Sequence, residues 1–479
     1  MEGEQCGNRL GAFTIPLESE FNSMIKRSWI LFLAINCQAA TYYVTQTGSG
    51  AETGTNLAKA WSVADFNSTS TPTGGDTVFF SGVITSHIVI NCRGTGNGSQ
   101  RLTLDFTSAV LNQAVANEAG PRINVNGQAY LNLYGGVMGT AGTAGCDTPN
   151  GMINFGGGGA HDLTVSGWSH VGDPLGTAYF IVHQYAYNTV IENNSVDDVG
   201  QFLWGDSTRN HNILIQNNYA RTSVSSAQDI DVIQMGDAYH VTIQGNKLVN
   251  RAVGTSTAHQ DVIQCYEKGG SDAGHPTKWV IRYNWIETGS VGGSGDNSWL
   301  MMESMHGDPA CKIYGNVFFG PPTANEANNG VCFNGNVSTG VFYFFNNTVV
   351  RTAVPNNTIR FLAPGTLHAK NNIGMAAVPV SGNCIDWSMV NAGWDYNFFY
   401  HFNGAGGVDA GPHGSTVINP KFNNIANGDF SLSASSPLIG RADSKVGSEY
   451  SKGIAPGATW PNPALVTRPA GDWDVGAYQ

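Results

Sequence analysis

One six-residue phrase recurs ten times between residues 131 and 397, and it restricts what the chain can become. It reads LNLYGG from Leu131, LTVSGW from Leu163, TVIENN from Thr189, ILIQNN from Ile213 and VTIQGN from Val241. It continues as WVIRYN from Trp279, CKIYGN from Cys311, FYFFNN from Phe342, LHAKNN from Leu367 and AGWDYN from Ala392. The third position is apolar throughout (Leu133, Val165, Ile191, Ile215, Ile243, Ile281, Ile313, Phe344, Ala369, Trp394), and the last is Asn in eight of the ten. Apolar residues at alternate positions describe a strand with one buried face. A lone strand cannot bury that face, so like strands stack and share a core. A recurring Asn at the corner bends the chain and bonds to the Asn above and below. Copies lie 24 to 38 residues apart, as expected for a fixed coil carrying loops of different length.

A second apolar segment precedes each Asn corner, as at Tyr179–Val182, Gln201–Trp204, Asp231–Gln234, Asp261–Gln264 and Trp299–Met302. Two strands with their turns fill most of a coil. A propeller would need longer and more regular repeats of four strands. The 61 glycines and only 12 % charged residues disfavour long helices, and 41 % hydrophobic content suffices for a core. The reading is an all-β, right-handed parallel β-helix of about ten or more coils, with Ile191, Ile215, Ile243, Ile281 and Ile313 in one continuous stack.

The first forty residues read differently. Met24-Ile25-Lys26-Arg27 leads into the apolar run from Trp29 to Ile35, and Ala39 and Ala40 follow. A basic start, a short apolar run and a small-residue exit describe a secretory signal peptide, too short to span a bilayer. The expected organisation is an upstream extension at 1–23, a signal peptide at 24–39, and a β-helix domain at 40–479 with an N-terminal cap and a C-terminal closing segment. The destination is secreted or periplasmic, as a monomer that meets no membrane after processing. The net charge of −12 over the whole chain argues against nucleic acid as a partner. Of the eight cysteines none forms a CxxC pair, so a zinc site is not expected. Disulfides and free core thiols both remain open for them.

The two ends carry a resemblance. Thr41-Tyr42-Tyr43-Val44, Gly48-Ser49-Gly50, Ala58-Lys59-Ala60-Trp61 and Gly75-Asp76-Thr77-Val78 at the start are similar to the opening of secreted proteins of the pectate-lyase-like superfamily. Asn419-Pro420-Lys421-Phe422, Ser436-Pro437-Leu438-Ile439 and Asp474-Val475-Gly476-Ala477-Tyr478 are similar to their close. The resemblance implies the fold and a polysaccharide partner. It leaves the reaction open, because the superfamily includes lyases, hydrolases and adhesins.

Chemistry is expected where two successive coils carry nearly the same acidic phrase, QDIDVIQ ending at Gln234 and HQDVIQ ending at Gln264. That register places Asp231 over Asp261, about 5 Å apart between backbones. Both are expected to face outward into one groove with His259, Glu303 and the loop of Lys268. Trp204, Tyr266 and Trp299 are candidates for stacking on sugar rings, and Arg221 and Arg251 for neutralising an acidic sugar. The superfamily's lyases imply β-elimination on a uronic-acid polymer, with Ca²⁺ held by Asp229, Asp231, Asp261 and Glu303 and with Lys268 as base. No organic cofactor is expected. The alternatives are a glycoside hydrolase using Asp231 and Asp261 as acid and base, and a non-catalytic polysaccharide-binding or adhesin β-helix.

Overall fold

The computed structural model describes residues 39–479 apart from 96–99, 113–119, 140–150, 157, 172–178, 208–209, 224, 227–229, 255–259, 268–275, 290–297, 321–328, 335–339, 352–356, 362–364, 381–384, 388–389 and 403–409. The expected extension and signal peptide lie outside the described residues. Among the latter, no helix is long and apolar enough to cross a membrane.

Each coil contributes three strands. The long strand carries the repeated phrase, as at His161–Ser166, Tyr187–Glu192, His211–Gln216 and Tyr239–Gln244. After the Asn corner comes a strand of three or four residues, as at Ser195–Asp197, Tyr219–Thr222 and Lys247–Asn250. The third, also short, belongs to an eleven-stranded sheet running from Ile88–Val89 to Ile385–Trp387. Every pairing in these stacks is parallel, for example Ile191 with Ile215, Ile215 with Ile243, Ile243 with Ile281 and Ile281 with Ile313. All five isoleucines are buried in one column, as their phrase predicts. The architecture is a right-handed parallel β-helix. Its strand count differs slightly from the ten phrases, because the coil formed by Ile88–Val89 and Leu102–Leu111 turns without one.

The corner explains the phrase. The residue before the ladder Asn is left-handed in coil after coil: Asn193, Asn217, Gly245, Tyr283, Gly315, Asn346 and Asn371 have φ between 54° and 66°. Gly and Asn tolerate that conformation best, which accounts for their recurrence at this fifth position. The ladder itself is buried. Asn218 Nδ2 donates to Asn246 Oδ1 at 3.0 Å, Asn246 Nδ2 to Asn284 Oδ1 at 3.0 Å and Asn284 Nδ2 to Asn316 Oδ1 at 3.0 Å. Each Asn backbone N–H donates to the same oxygen, so a column of amides satisfies the corner without water.

The helix Val63–Ser68 is closed at its start by a Ser62–Asp65 capping box, and it buries Val63 and Phe66. At the other end, residues beyond 416 return along the outside of the coils. Phe430, Leu438, Tyr450, Trp473 and Tyr478 pack on Tyr283, Trp285, Tyr314 and Phe345, covering the Asn corner of the later coils. Asn462 reaches back to donate its N–H to the Gly245 carbonyl at 2.7 Å, and the buried Arg468 guanidinium holds the Asp474 and Gly476 carbonyls. Cys92, Cys265 and Cys311 are buried free thiols.

Candidate functional site

Side chains on the short-strand sheet alternate in and out. Register aligns Trp204 with Gln234, Gln234 with Gln264 and Gln264 with Met301, one row in which Trp204 and Gln234 are half-buried while Gln264 and Met301 are buried. Two residues further along each strand, Asp206 aligns with Gly236 and Gly236 with Tyr266. Glu303 ends the next strand, Leu300–Glu303. The rows run along the helix axis at one coil per strand, so five strands from Tyr179–Val182 to Leu300–Glu303 span roughly 19 Å.

This face combines rings, amides and acids. Tyr179 and Trp204 stack with centroids 5.4 Å apart and planes at 18°. The Gln201 amide donates to Gln234 at 3.2 Å, and the Gln234 amide to Gln264 at 2.6 Å, so the glutamines form a short ladder. Tyr266 leans over Gly236 toward Asp206: a methyl group on Gly236 would lie 3.0 Å from both Asp206 Oδ1 and the Tyr266 ring. Glycine is what permits that approach. Burial, then the Asp206 carboxylate that its hydroxyl bonds, push the Tyr266 phenol above its ordinary value. Tyr266 is therefore a proton-bearing donor at neutral pH.

The two aspartates expected to lead this site do not face it. Asp231 and Asp261 are wholly buried. Asp231 Oδ1 accepts the Asp261 N–H at 2.7 Å, and Asp261 Oδ1 accepts the Ser298 N–H at 2.6 Å. Asn250 Nδ2 braces the same corner through the Ile230 and Asp261 carbonyls. The cause is local. Ile230, Asp231, Val232 and Ile233 are four consecutive buried residues, so strand alternation begins only at Ile233. The repeated acidic phrase builds a second, shorter ladder at a corner rather than a groove.

Other expected roles change with it. Trp299 is fully buried, its indole N–H donating to the Phe319 carbonyl at 3.0 Å and its ring facing the Arg351 guanidinium at 5.0 Å, so it is a core residue and not a sugar platform. Arg221 is held by Asp197 and Asp198, at 3.1 and 3.2 Å from its Nη2, and Arg251 by Glu287. Both arginines are already neutralised. For calcium, Asp231 and Asp261 spend an oxygen each on backbone amides, and no cluster of three acids, histidines or cysteines suited to a metal occurs among the described residues. The described members of the expected cation site do not fit a calcium ion. Asp229, His259 and Lys268 lie outside the described residues.

Trp204 and Tyr266 are on the face, half-buried, with Glu303. Sequence reasoning missed Tyr179, the glutamine ladder and the function of Gly236. Aligning the strand ends Trp204-Gly205-Asp206, Gln234-Met235-Gly236 and Gln264-Cys265-Tyr266 would have found the glutamines and Gly236.

No family model matches the chain, and no curated protein matches it either. Solved structures do. XylC in complex with xylose is 11% identical, with a TM-score of 0.49 over 81% of this chain and 88% of that one. Pectate lyase Pel9A is 12% identical, with a TM-score of 0.42 over 92% and 96%. The tailspike protein of E. coli bacteriophage HK620, solved with a pentasaccharide, is 10% identical, with a TM-score of 0.35 over 71% of each chain. These likenesses concern the fold alone, a parallel β-helix.

Proposed function

We propose that this β-helix binds a neutral polysaccharide along the outer face of its short-strand sheet and hydrolyses it with Asp206 and Glu303. The observation that carries the proposal is the row of Trp204, Gln234 and Gln264, flanked by Tyr179 and Tyr266. Pyranose rings offer apolar C–H faces to flat aromatic rings and hydroxyls to amides and carboxylates, and this face supplies both kinds of partner. The glutamine ladder and the Tyr266–Asp206 contact fix these groups before a ligand arrives, which lowers the entropy lost on binding.

Glycoside hydrolysis needs one carboxyl to protonate the leaving oxygen and another to activate water or attack carbon. Asp206 and Glu303 are three strands apart in the sheet, roughly 14 Å between backbones. Their side chains close part of that gap, and the wide spacing suits inversion, where a water sits between acid and base. From Trp204 to Glu303 the two rows carry no Lys or Arg. The charged groups in those rows are the carboxylates of Asp206 and Glu303, so a uronate would meet repulsion there and no cation, which favours a neutral polymer over the acidic one that elimination requires.

The test is incubation with neutral and acidic polysaccharides, with and without chelator, reading new reducing ends and the ultraviolet absorbance of unsaturated sugar. Hydrolysis predicts reducing ends from a neutral polymer, no ultraviolet gain and no chelator effect. Asp206→Asn and Glu303→Gln should each lower the rate by about 10²–10⁴-fold. An ultraviolet gain that chelator abolishes would establish elimination instead. Binding without any product would make the face a non-catalytic platform.

A further inference from the structure

A second groove lies on the long strands, where the returning C-terminal segment stops. Its cleft, about 440 Å³, lies between Gln216, Gln244 and Arg282 on the coils and Ser451, Lys452 and Asn462 on the segment. Gln244 and Arg282 also line a shallow continuation of about 510 Å³ that passes Thr242, His240 and Asn212 toward the earlier coils. The first volume is within the range of small-molecule sites.

Arg282 stands where the two meet. Its Nε donates to Gln244 Oε1 at 2.7 Å and its Nη1 to the Tyr314 hydroxyl at 2.9 Å, with the Tyr283 and Tyr314 rings 5.9 and 6.0 Å from the guanidinium carbon. Those contacts fix the plane of the fork and use two of its five N–H donors. No carboxylate is within ion-pair reach of it among the described residues. Glu449, the acid lining the cleft, is engaged through both oxygens by Lys312 at 2.9 and 2.8 Å. Lys452 adds a second cation on the opposite wall. Glu192 ends the side-chain ladder that Arg282 begins, with Gln244 donating to Gln216 at 2.8 Å and Gln216 to Glu192 at 2.7 Å. Arg282 and Lys452 place positive charge at the end beside the C-terminal segment, whereas the continuation holds both Arg101, which donates to the Asp162 carbonyl at 2.7 Å, and the Asp162 carboxylate.

We infer that this cleft binds a carboxylate-bearing sugar unit, with the Arg282 fork on the carboxylate and the amides and hydroxyls of both walls on the ring. An oriented guanidinium without an acid partner pairs bidentately with a planar carboxylate. In a chain of net charge −12, a local site of this kind is what an acidic saccharide requires. The groove is separate from the short-strand face, so it anchors acidic branches or neighbouring polymer independently of any cleavage.

Native electrophoresis through gels containing polygalacturonate, the same polymer with its carboxyls reduced, or neutral xylan tests the inference. The wild-type chain should be retarded by polygalacturonate and much less by its reduced form. Arg282→Gln should weaken that retardation by about 10- to 100-fold in apparent affinity, as for loss of a charged hydrogen-bonded pair. Lys452→Gln, an exposed change that leaves the coils intact, should weaken it by a smaller factor, and Trp204→Ala should not change it. Equal retardation by the reduced polymer, no retardation of the wild-type chain, or unchanged retardation of both Arg282→Gln and Lys452→Gln would overturn the inference. None of these results would bear on the short-strand face, whose test is turnover.

Discussion

Asn284→Ala removes four hydrogen bonds from the middle of the buried amide column. Its Nδ2 donates to the Ile243 carbonyl at 2.8 Å and to Asn316 Oδ1 at 3.0 Å. Its Oδ1 accepts the Asn246 N–H at 2.9 Å and the Asn246 Nδ2 at 3.0 Å. Asn246 Nδ2 retains the Ile215 and Gln244 carbonyls, whereas the Asn246 backbone N–H loses the partner it has here. One orphaned buried donor costs about 1–3 kcal/mol, and each of the three other bonds about 0.5–1.5 kcal/mol. Water entering the vacated space recovers part of this, so the loss should be about 3 kcal/mol or more. That is a large fraction of a stability of about 5–15 kcal/mol. Asn132→Ala is the control: its amide makes one long contact, 3.5 Å to Thr103 Oγ1 on the outer surface, and its removal should stay within about 0.5 kcal/mol. Urea unfolding followed by far-ultraviolet circular dichroism compares them. If Asn284→Ala unfolds at the same midpoint as Asn132→Ala, the column is not a source of stability and the reasoning fails.

Other predictions rest on buried titratable groups and on the crowded glycine. Burial, then the Asp231 carboxylate, raises the Asp261 pKa well above 3.8, so its contribution is full below that pH and is lost as pH rises through the raised value. Asp261→Asn keeps an acceptor for Ser298 and should match the wild type in acid but exceed it in stability at neutral pH. Equal unfolding midpoints at neutral pH would contradict this. Burial lowers the His183 pKa from 6.5 to about 4, so stability should fall as pH drops from 6.5 to 4, by up to about 3 kcal/mol. His183→Gln should flatten that slope in pH-dependent melts, and an unchanged slope would count against it. Gly236→Ala should push Tyr266 off Asp206, costing about 1–3 kcal/mol and weakening polysaccharide binding, which calorimetry can measure. Unaltered stability and binding would show that the approach is not tight.

The long strands and the Asn column were legible in the sequence because two physical constraints repeat there together, an apolar third position and a left-handed fifth. The strands after the corner were not. Lys247–Asn250 has three consecutive buried residues, so no alternation marks it as a strand. The packing of Trp473 and Tyr478 on Tyr283 and Trp285 joins residues nearly two hundred positions apart, which local pattern does not encode. At the site, aromatic character alone marked Trp204 and Tyr266, and it also marked Trp299, which is core. The outward placement expected for Asp231 and Asp261 failed because the corner before each strand buries successive residues. Recurrence in register was a mark of stacking, for the aspartates as for the asparagines. Read that way, the acidic phrase belongs to the scaffold, and the variable positions beside it form the face.

The central claim is that carbohydrate lies along Tyr179, Trp204, Gln234 and Tyr266. A crystal structure with a bound oligosaccharide of the best neutral polymer tests it most directly. The account predicts sugar rings stacked against Trp204 and Tyr179, hydroxyls on the glutamine ladder, and a glycosidic oxygen between Asp206 and Glu303. Sugar bound elsewhere on the helix, with this face bare, would contradict it.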